Sequence, residues 1–230
     1  MGVNRRPAAR LAASALRAMS SSHAFIDAIR VCLARDPHAR YITLATVERP
    51  NRPRAAAIAV PRARTVVFEG FIDDPSGVPA LLIKCSSASD KVRNAISPEC
   101  EVAWWFERSM TQFRPRGTIA FLDGDAFIDR DHPGDARATR DALARARVRT
   151  WNNLSLPDRG QFFWSDGAEG EVRDEIPTHF CVGTLRVAEV DALCLADGSR
   201  RSWWRENVSS ETFERAEGRA PPVRSAREAC

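Results

Sequence analysis

Residues 101–117 read EVAWWFERSMTQFRPRG. An apolar, aromatic run is followed there by a short polar stretch, after which polar and aromatic residues alternate from Gln112 onward. Side chains two residues apart lie on the same face of a strand, so this spacing indicates strands rather than a helix. The stretch predicts a strand over residues 101–107 and then a hairpin over residues 112–129 that turns at Asp123-Gly124.

The segments on both sides of this stretch carry similar signals. Apolar spacing and capping residues predict helices ahead of Pro37 and over residues 87–97 and 134–150. The predicted strands cover residues 41–48, 54–60, 64–71 and 81–85, two segments of 179–195 that are broken near 186–189, and residues 200–206. Short strands at hairpin spacing with a few helices predict a mainly β fold, an antiparallel barrel with helices packed on its outside.

The net charge of the chain is concentrated at its N-terminus. The 230 residues carry 34 Lys and Arg against 30 Asp and Glu, a net charge of +4. Residues 1–26 hold Arg5, Arg6, Arg10 and Arg17 and no acid, so the remainder is neutral overall. A neutral domain gives no general field for nucleic acid, and no apolar run is long enough to span a membrane. We therefore expect neither kind of partner.

Composition divides the chain into three parts. Residues 1–22 are rich in Arg, Ala and Ser, which is typical of an organelle-targeting peptide and equally of a disordered tail. We expect a folded domain over residues 23–206 and a loose tail over residues 207–230. The protein is expected to be intracellular, in a mitochondrion or another organelle if the first segment is an address and otherwise in the cytoplasm. Its six cysteines lie at scattered spacings, which favours reduced, buried thiols over a metal site.

A cluster of hydroxyl groups lies where a predicted strand ends and a predicted helix begins. Residues 86–91 read SSASDK. The free N–H groups of a helix start, together with the Ser89 hydroxyl and the Lys91 ammonium, would suit a phosphate. A serine-capped helix with a surface lysine shows the same pattern and is the commoner of the two.

The sequence leaves two possible partners for the side chain of Gln112. If it is buried, its amide needs hydrogen-bond partners, which a heteroaromatic ring or the neighbouring backbone would supply. The sequence holds neither Gly-x-Ser-x-Gly nor a Walker-type Gly-Lys-Ser/Thr loop. No catalytic residue is assigned on this basis.

Seven short motifs occur in a particular order along the chain. They are RTVVFEGF (64–71), SDK (89–91), EVAWWF with TQFRPRG (101–106 and 111–117), WNNLS (151–155), RGQFFW (159–164), PTHF (177–180), and VDALCL followed by Arg200-Arg201 (190–195 and 200–201). Together and in this order they resemble the pyridoxamine 5'-phosphate oxidase-like FMN-binding split barrels, in particular the cyanobacterial-type FMN-binding domains. The resemblance covers roughly residues 23–206.

The resemblance implies a Greek-key split β-barrel that forms a homodimer, with one FMN in each cleft between the subunits. It assigns the flavin phosphate to Ser89 and Lys91, with Arg64 reaching it from a strand. It further implies that Gln112 binds the isoalloxazine edge and that Ser155 and Arg205 complete the pocket, whereas Arg201 would hold an anionic substrate. The implied function is that of a flavin-dependent oxidoreductase acting on a small molecule, with FMN taking up the hydride.

Three positions depart from the family pattern. Glu69 stands where the family has Arg or Lys, Ala88 replaces an Arg of the phosphate turn, and Trp203 replaces a His near the substrate. A carboxylate facing the flavin phosphate would repel it, and the lost Arg removes a bidentate contact. These differences predict weaker phosphate binding and no efficient oxidation of pyridoxamine phosphate.

Two other classes of function stay open. One is a non-catalytic flavin- or tetrapyrrole-binding module on the same fold, because a fold does not determine an activity. The other is RNA binding through the arginine-rich helix at residues 135–149. No aromatic residues interleave with those arginines, so a solvated helix face is favoured there.

Overall fold

A computed structural model describes residues 24–49, 59–73, 77, 79–95, 98–129, 135–163, 175–197, 199–207 and 212–218. The helices in these ranges are α1 (Ala24–Arg35), α2 (Asp90–Asn94), α3 (Ala136–Asn152) and α4 (Leu156–Gly160). The strands are β1 (Tyr41–Glu48), β2 (Val60–Asp73), β3 (Pro79–Ser86), β4 (Glu99–Phe106), β5 (Thr111–Leu122), β6 (Phe127–Ile128), β7 (Phe180–Cys194), β8 (Arg200–Asn207) and β9 (Thr212–Glu217). The N-terminal segment 1–22 and most of the strand expected at 54–60 lie outside the described residues.

The strands form one antiparallel sheet that closes on itself. Its order is β6-β5-β4-β1-β2-β3-β7-β8-β9, and an additional pairing of β5 with β7 joins the two ends of the central six strands. Closure removes the open edges that a flat sheet of these strands would expose. The prediction of a mainly β, antiparallel barrel with flanking helices is confirmed, and so is the hairpin of β5 and β6.

Strand β7 has partners along both of its edges. On one edge its first half pairs with β3 and its second half with β8, while β5 follows the other edge from Val182 to Cys194. The sequence predicts two strands here, broken near residues 186–189; the structure instead has one strand with a bulge. Arg116 lies opposite Glu189 and Gly117 opposite Val187, which leaves Ala188 without a partner.

Bulges change which face of a strand points into the barrel. In β7 the barrel core contains Cys181, Leu185 and Val187 before the bulge, and Val190 and Ala192 after it. The residues of β7 that face the core therefore have odd numbers before Ala188 and even numbers after it. Strand β2 has a similar bulge at Glu69, where its register with β3 shifts by one residue. The residues of β2 that face the core have even numbers before Glu69, and Phe71 packs against the core after it.

Two apolar clusters bury the strands. The cluster inside the barrel includes Trp104, Phe106 and Phe113, and α1 adds the fully buried Phe25 and Ile29 to it. The second cluster lies outside β3 and β7, where helix α3 packs its own apolar face: its buried members include Leu82, Leu143, Ala146, Trp151, Phe180 and Val182. Strand β3 is thus apolar on both faces, as in its sequence PALLIKCS.

Two elements differ from the sequence predictions. Helix α2 has five residues rather than the eleven expected over 87–97, and its N-cap Ser89 makes no side-chain cap bond. Residues 212–217 form a strand within the expected loose tail, because β8 offers an edge to which β9 adds a full ladder. In the described ranges no helix has both the length and the apolar character needed to cross a membrane.

The close approach at the β7 bulge predicts a strict requirement for glycine at position 117. A Cβ atom there would lie 1.9 Å from the carbonyl oxygen of Arg186, and a backbone atom cannot rotate away. We expect Gly117→Ala to lower the free energy of unfolding by about 1–3 kcal/mol or more, measured by urea titration. Gly183→Ala is the comparison, because its Cβ would meet only the ring of Phe121. Equal losses for the two variants would contradict the backbone argument.

Candidate functional site

A cleft of about 510 Å³ opens beside β2 and β3. Strands β2 and β3 and helix α2 form one wall, and the chain after α4 and before β7 forms the other. We call it the lysine cleft; its lining residues are Thr65, Val66, Val67, Lys84, Cys85, Ser86, Lys91, Gln161, Phe162 and His179. Its volume falls in the range of small-molecule sites.

Among the described residues, the lining of the lysine cleft includes two lysines and no Asp or Glu. Lys84 and Lys91 supply two ammonium groups, of which Lys84 is paired with Glu69 behind the lining, while Thr65 and Ser86 add hydroxyls and His179 an imidazole. Cations and hydroxyl donors at the surface of the cleft favour an anionic ligand, above all a phosphate, which accepts several charge-assisted hydrogen bonds. The arrangement suits a small molecule that carries a phosphate at one end.

The structure brings Ser89 and Lys91 together at the mouth of this cleft. The Lys91 ammonium donates to Ser89 Oγ at 3.1 Å, and the Ser89 hydroxyl donates to the carbonyl of Ser86 at 2.7 Å. Helix α2 is only five residues long, so its dipole adds little to the site. The lysines supply most of the charge that a phosphate would meet.

Arg64 lies at the junction of β1, β2 and α2 and does not line the cleft. Its guanidinium donates to Thr46 Oγ1 at 2.6 Å and to the carbonyl of Leu44 at 3.4 Å. The amide of Asn94 in α2 lies on the same hydroxyl, with its nitrogen 3.2 Å from Thr46 Oγ1. Burial, with Arg62 nearby, lowers the pKa of Arg64 below its usual value. In the described part of the chain its hydrogen-bond partners are neutral oxygens, so its charge reinforces the positive potential around α2.

Glu69 turns away from the lysine cleft because it is the bulged residue of β2. Its carboxylate forms an ion pair with Lys84 and lies 3.7 Å from Arg40 Nη2. The Glu69 side chain is 12% exposed and borders a second cleft of about 310 Å³ on the far side of Lys84. The repulsion that position 69 would exert on a phosphate is therefore offset by two cations, and Lys84 supplies a lysine from the neighbouring strand.

Hydrogen bonds to carbonyl groups hold the opposite wall in place. The His179 Nε2 lies 2.6 Å from the carbonyl oxygen of Phe162, which joins the two segments of that wall. From α3, Arg147 donates to the carbonyls of Phe180 at 2.8 Å and Pro177 at 2.7 Å. Burial lowers the pKa of Arg147. These bonds position His179 at the cleft just before β7 begins.

The first half of the chain matches a known family of domains. Residues 22–123 match the family model described as pyridoxamine 5'-phosphate oxidase, FMN-binding domain. This part of the chain is similar to the pyridoxamine 5'-phosphate oxidase FMN-binding domains. It contains β1 to β5 and with them the Lys84 and Lys91 wall of the lysine cleft. No curated protein sequence matches the chain.

Two solved structures share the fold. A pyridoxamine 5'-phosphate oxidase-related FMN-binding protein from Nostoc punctiforme is 25% identical and has a TM-score of 0.65, the alignment covering 84% of this chain and 96% of that one. PhzG from Burkholderia lata, solved with tetrahydrophenazine-1-carboxylic acid, is 13% identical with a TM-score of 0.59, covering 88% and 94%. The second likeness is one of fold.

Three of the residues that the family resemblance assigns lie elsewhere on the same chain. Gln112 of β5 is opposite Leu193 of β7, which is opposite Arg201 of β8. Their neighbours Phe113 and Ala192 point into the core, so these side chains are on the outer face of the barrel. A single chain does not bring Gln112, Arg201 and Arg205 to the lysine cleft.

The residues on this outer face are engaged in ion pairs. Arg201 donates to both oxygens of Asp191, at 2.8 and 2.7 Å, and this bonding raises the pKa of Arg201. Arg205 donates to Glu189 at 3.2 Å. Trp203, which stands in the place of the family histidine, is 6% exposed. These contacts hold the arginines in place within the single chain.

Ser155 acts as a helix cap in the single chain. Its hydroxyl oxygen accepts from the backbone N–H of Asp158 and its hydroxyl donates to Asp158 Oδ2 at 2.6 Å. Ser155 does not line either cleft, although its neighbour Leu154 borders the second one. Among the described residues, no group of three or more His, Cys, Asp and Glu could hold a metal ion.

Sequence reasoning missed several lining residues of the lysine cleft. Lys84 had a local signal, because it is a charged residue within the apolar strand β3 and alternates onto the same face as Ser86. Phe162 and His179 lie within the motifs RGQFFW and PTHF, but no local signal indicates that they meet, because their contact depends on the packing of α3 on β7.

The Glu69–Lys84 pair predicts a measurable contribution to stability. Both side chains are mostly buried, so Glu69→Gln would leave Lys84 without its carboxylate. We expect the free energy of unfolding to fall by about 1–3 kcal/mol, measured in urea. Glu48→Gln is the matched control: its partner Arg62 is 55% exposed, and the loss should stay below about 1 kcal/mol. Equal effects of the two variants would show that Lys84 does not depend on Glu69.

Proposed function

We propose that this protein binds FMN in the lysine cleft and uses it as an FMN-dependent oxidoreductase acting on a small molecule. The observation that supports this most is that Lys91 and Lys84 both line the cleft, in the part of the chain that matches the FMN-binding domain. The phosphate of FMN would meet Lys91 and Ser89, with Arg64 adding charge from below α2. The isoalloxazine would lie along Val66 and Val67.

The bound flavin would supply the redox chemistry, taking up a hydride from the substrate. The residues of the chain would bind and orient the ligands. Phe162 would exclude water from one side of the ring, and Lys84, which lines both clefts, would face the ligand as a member of its ion pair with Glu69. No nucleophile is required from the protein.

We further propose that the site is completed by a second copy of the chain. Gln112 faces outward, and its cross-strand partner Trp105 is 43% exposed. Met110 and Leu195, which are joined by a backbone hydrogen bond, are also exposed at this end of the barrel. Exposed aromatic and apolar side chains of this kind favour an interface. A homodimer through this face would carry Gln112 and Arg205 of one subunit to the lysine cleft of the other.

Arg201 is our candidate for holding an anionic substrate at that interface. Its bonds to Asp191 use Nε and Nη2, so Nη1 is the group that would reach a ligand. Ser155 would contribute only if its cap on α4 opened, which makes it the weakest of the proposed contacts.

A non-catalytic flavin- or tetrapyrrole-binding module is the second candidate function, supported by the ion pair of Arg201 and the burial of Trp203. Tight cofactor retention without turnover on any reduced substrate would favour it.

The phosphate contact gives the first test of cofactor binding. Lys91→Ala should weaken FMN binding by about 1.5–3 kcal/mol, because a charge-assisted hydrogen bond is lost. Riboflavin lacks the phosphate and should bind the variant and the parent equally. Arg93→Ala is the control, since Arg93 is exposed and paired with Asp90 in the same helix. Flavin fluorescence titration measures the affinities of the parent and of both variants for FMN and for riboflavin. Equal losses for FMN and riboflavin would show that Lys91 is structural.

Mixed dimers test whether two chains build each site. Lys91→Ala and Gln112→Ala should each weaken FMN binding in the pure dimers. When the two variants are co-expressed in equal amounts, roughly a quarter of the sites should regain full affinity, since one site of each mixed dimer then contains no substitution. Binding that equals the average of the two pure variants would contradict a shared site. So would a monomer that binds FMN at full stoichiometry.

A further inference from the structure

Two cysteines face each other across the seam between β3 and β7. Cys85 is directly opposite Cys181 in the antiparallel register, and both are free thiols buried in the barrel core. Directly opposed residues of antiparallel strands have Cα atoms about 4.5–5.5 Å apart. Disulfides require about 4.4–6.8 Å. The register therefore meets the Cα condition for a disulfide between Cys85 and Cys181, and the Cys181 thiol now donates to the carbonyl oxygen of Val182 at 3.7 Å.

The two thiols differ in environment. Cys85 is 8% exposed and lines the lysine cleft, whereas Cys181 is 1% exposed. The adjacent Cys181 thiol lowers the pKa of Cys85, and Lys91 and Ser89 lower it further, against the effect of burial. The adjacent Cys85 thiol, with burial, raises the pKa of Cys181. Cys85 is thus the thiol at the cleft and the one whose pKa is lowered, and Cys181 is its more deeply buried neighbour.

The other cysteines of the core lack this arrangement. Burial raises the pKa of Cys100, and the nearby Glu99 and Glu101 raise it further. Burial also raises the pKa of Cys32. Neither residue lines the lysine cleft. Reactivity toward oxidants follows thiolate character and access, which singles out Cys85.

We propose that Cys85 and Cys181 are a peroxide-reactive thiol pair in the wall of the lysine cleft, with Cys85 attacking and Cys181 resolving. The Cys85 thiolate attacks one oxygen of hydrogen peroxide; the S–O bond forms as the O–O bond breaks, and the departing hydroxide takes a proton to become water. The Cys181 thiol then attacks the Cys85 sulfenic acid. The S–S bond forms, the S–O bond breaks, and the second water leaves with the Cys181 proton. Two thiols and one peroxide give one disulfide and two waters.

The disulfide would change the cleft as well as the core. It would move the Cys85 sulfur toward Cys181 and away from Lys91 and Ser89, the two residues that surround the anion site. It would also join β3 covalently to β7 at the point where the barrel wall meets the cleft. The state of the thiols would then determine the shape of the lysine cleft.

Peptide mapping of the whole protein tests the proposal directly. Trypsin releases each thiol in its own peptide, residues 85–91 (CSSASDK) and 174–186 (DEIPTHFCVGTLR), each with one cysteine. The reduced protein is treated with hydrogen peroxide, the remaining thiols are alkylated, and the digest is analysed by mass spectrometry. We expect the two peptides to be linked and the chain to lose about 2 Da, the mass of two hydrogens. Both peptides fully alkylated would overturn the proposal, as would Cys85 linked to any other cysteine.

Single variants separate the roles of the two thiols. With Cys181→Ala, we expect a sulfenic acid at Cys85 that dimedone traps, because no neighbour resolves it. With Cys85→Ala, Cys181 should stay reduced, and Cys100→Ala should give the same linked peptides as the parent. Dimedone labelling of Cys181 instead of Cys85 would reverse the assignment and overturn it. The linked peptide is measured in the unsubstituted protein without flavin, so the result is independent of variant folding and of FMN binding.

Discussion

Two bulged residues, which have no partner in the strand ladder at the shift of register, set the geometry of this barrel. They are Glu69 in β2 and Ala188 in β7. A strand that pairs with one neighbour along its first half and with another along its second must change direction between them. An extra residue allows that change, at the cost of exchanging the two faces of the strand. In β2 the exchange directs Glu69 toward Lys84 and Arg40. In β7 it keeps Val190 in the core.

The distribution of charge around the lysine cleft follows from the first of these bulges. Position 69 carries an acid, yet the neighbouring strand carries Lys84, and the two charges compensate each other across the β2–β3 ladder. The Glu69 carboxylate borders the second cleft and not the lysine cleft, so the lysine cleft is lined by Lys84 and Lys91. The strand register thereby places the Glu69 carboxylate next to Lys84 and away from the ligand.

Local patterns in the sequence were sufficient for most strands and for the closed barrel, because alternation and turn residues act within a few positions. Strand β1 has the predicted bounds, and the turn at Asp123-Gly124 lies where the dipeptide indicates. The single strand β7 was missed because its bulge depends on Gly117 in another strand. The clustering of Ser89 with Lys91 could be predicted, whereas the contribution of His179 could not, since it depends on Arg147 and on the packing of α3. Gln112 and Arg201 remain predictions because only a second chain would bring them to the cleft.

The fastening of the cleft's outer wall has a consequence for how a ligand meets it. The bond between His179 and the Phe162 carbonyl joins the two described parts of that wall, and Arg147 holds the carbonyls of Pro177 and Phe180. Groups that are already held by such bonds lose little conformational freedom when a ligand binds. The wall is therefore set in the folded chain before a ligand arrives, and the affinity of the cleft is not reduced by the entropy of ordering it.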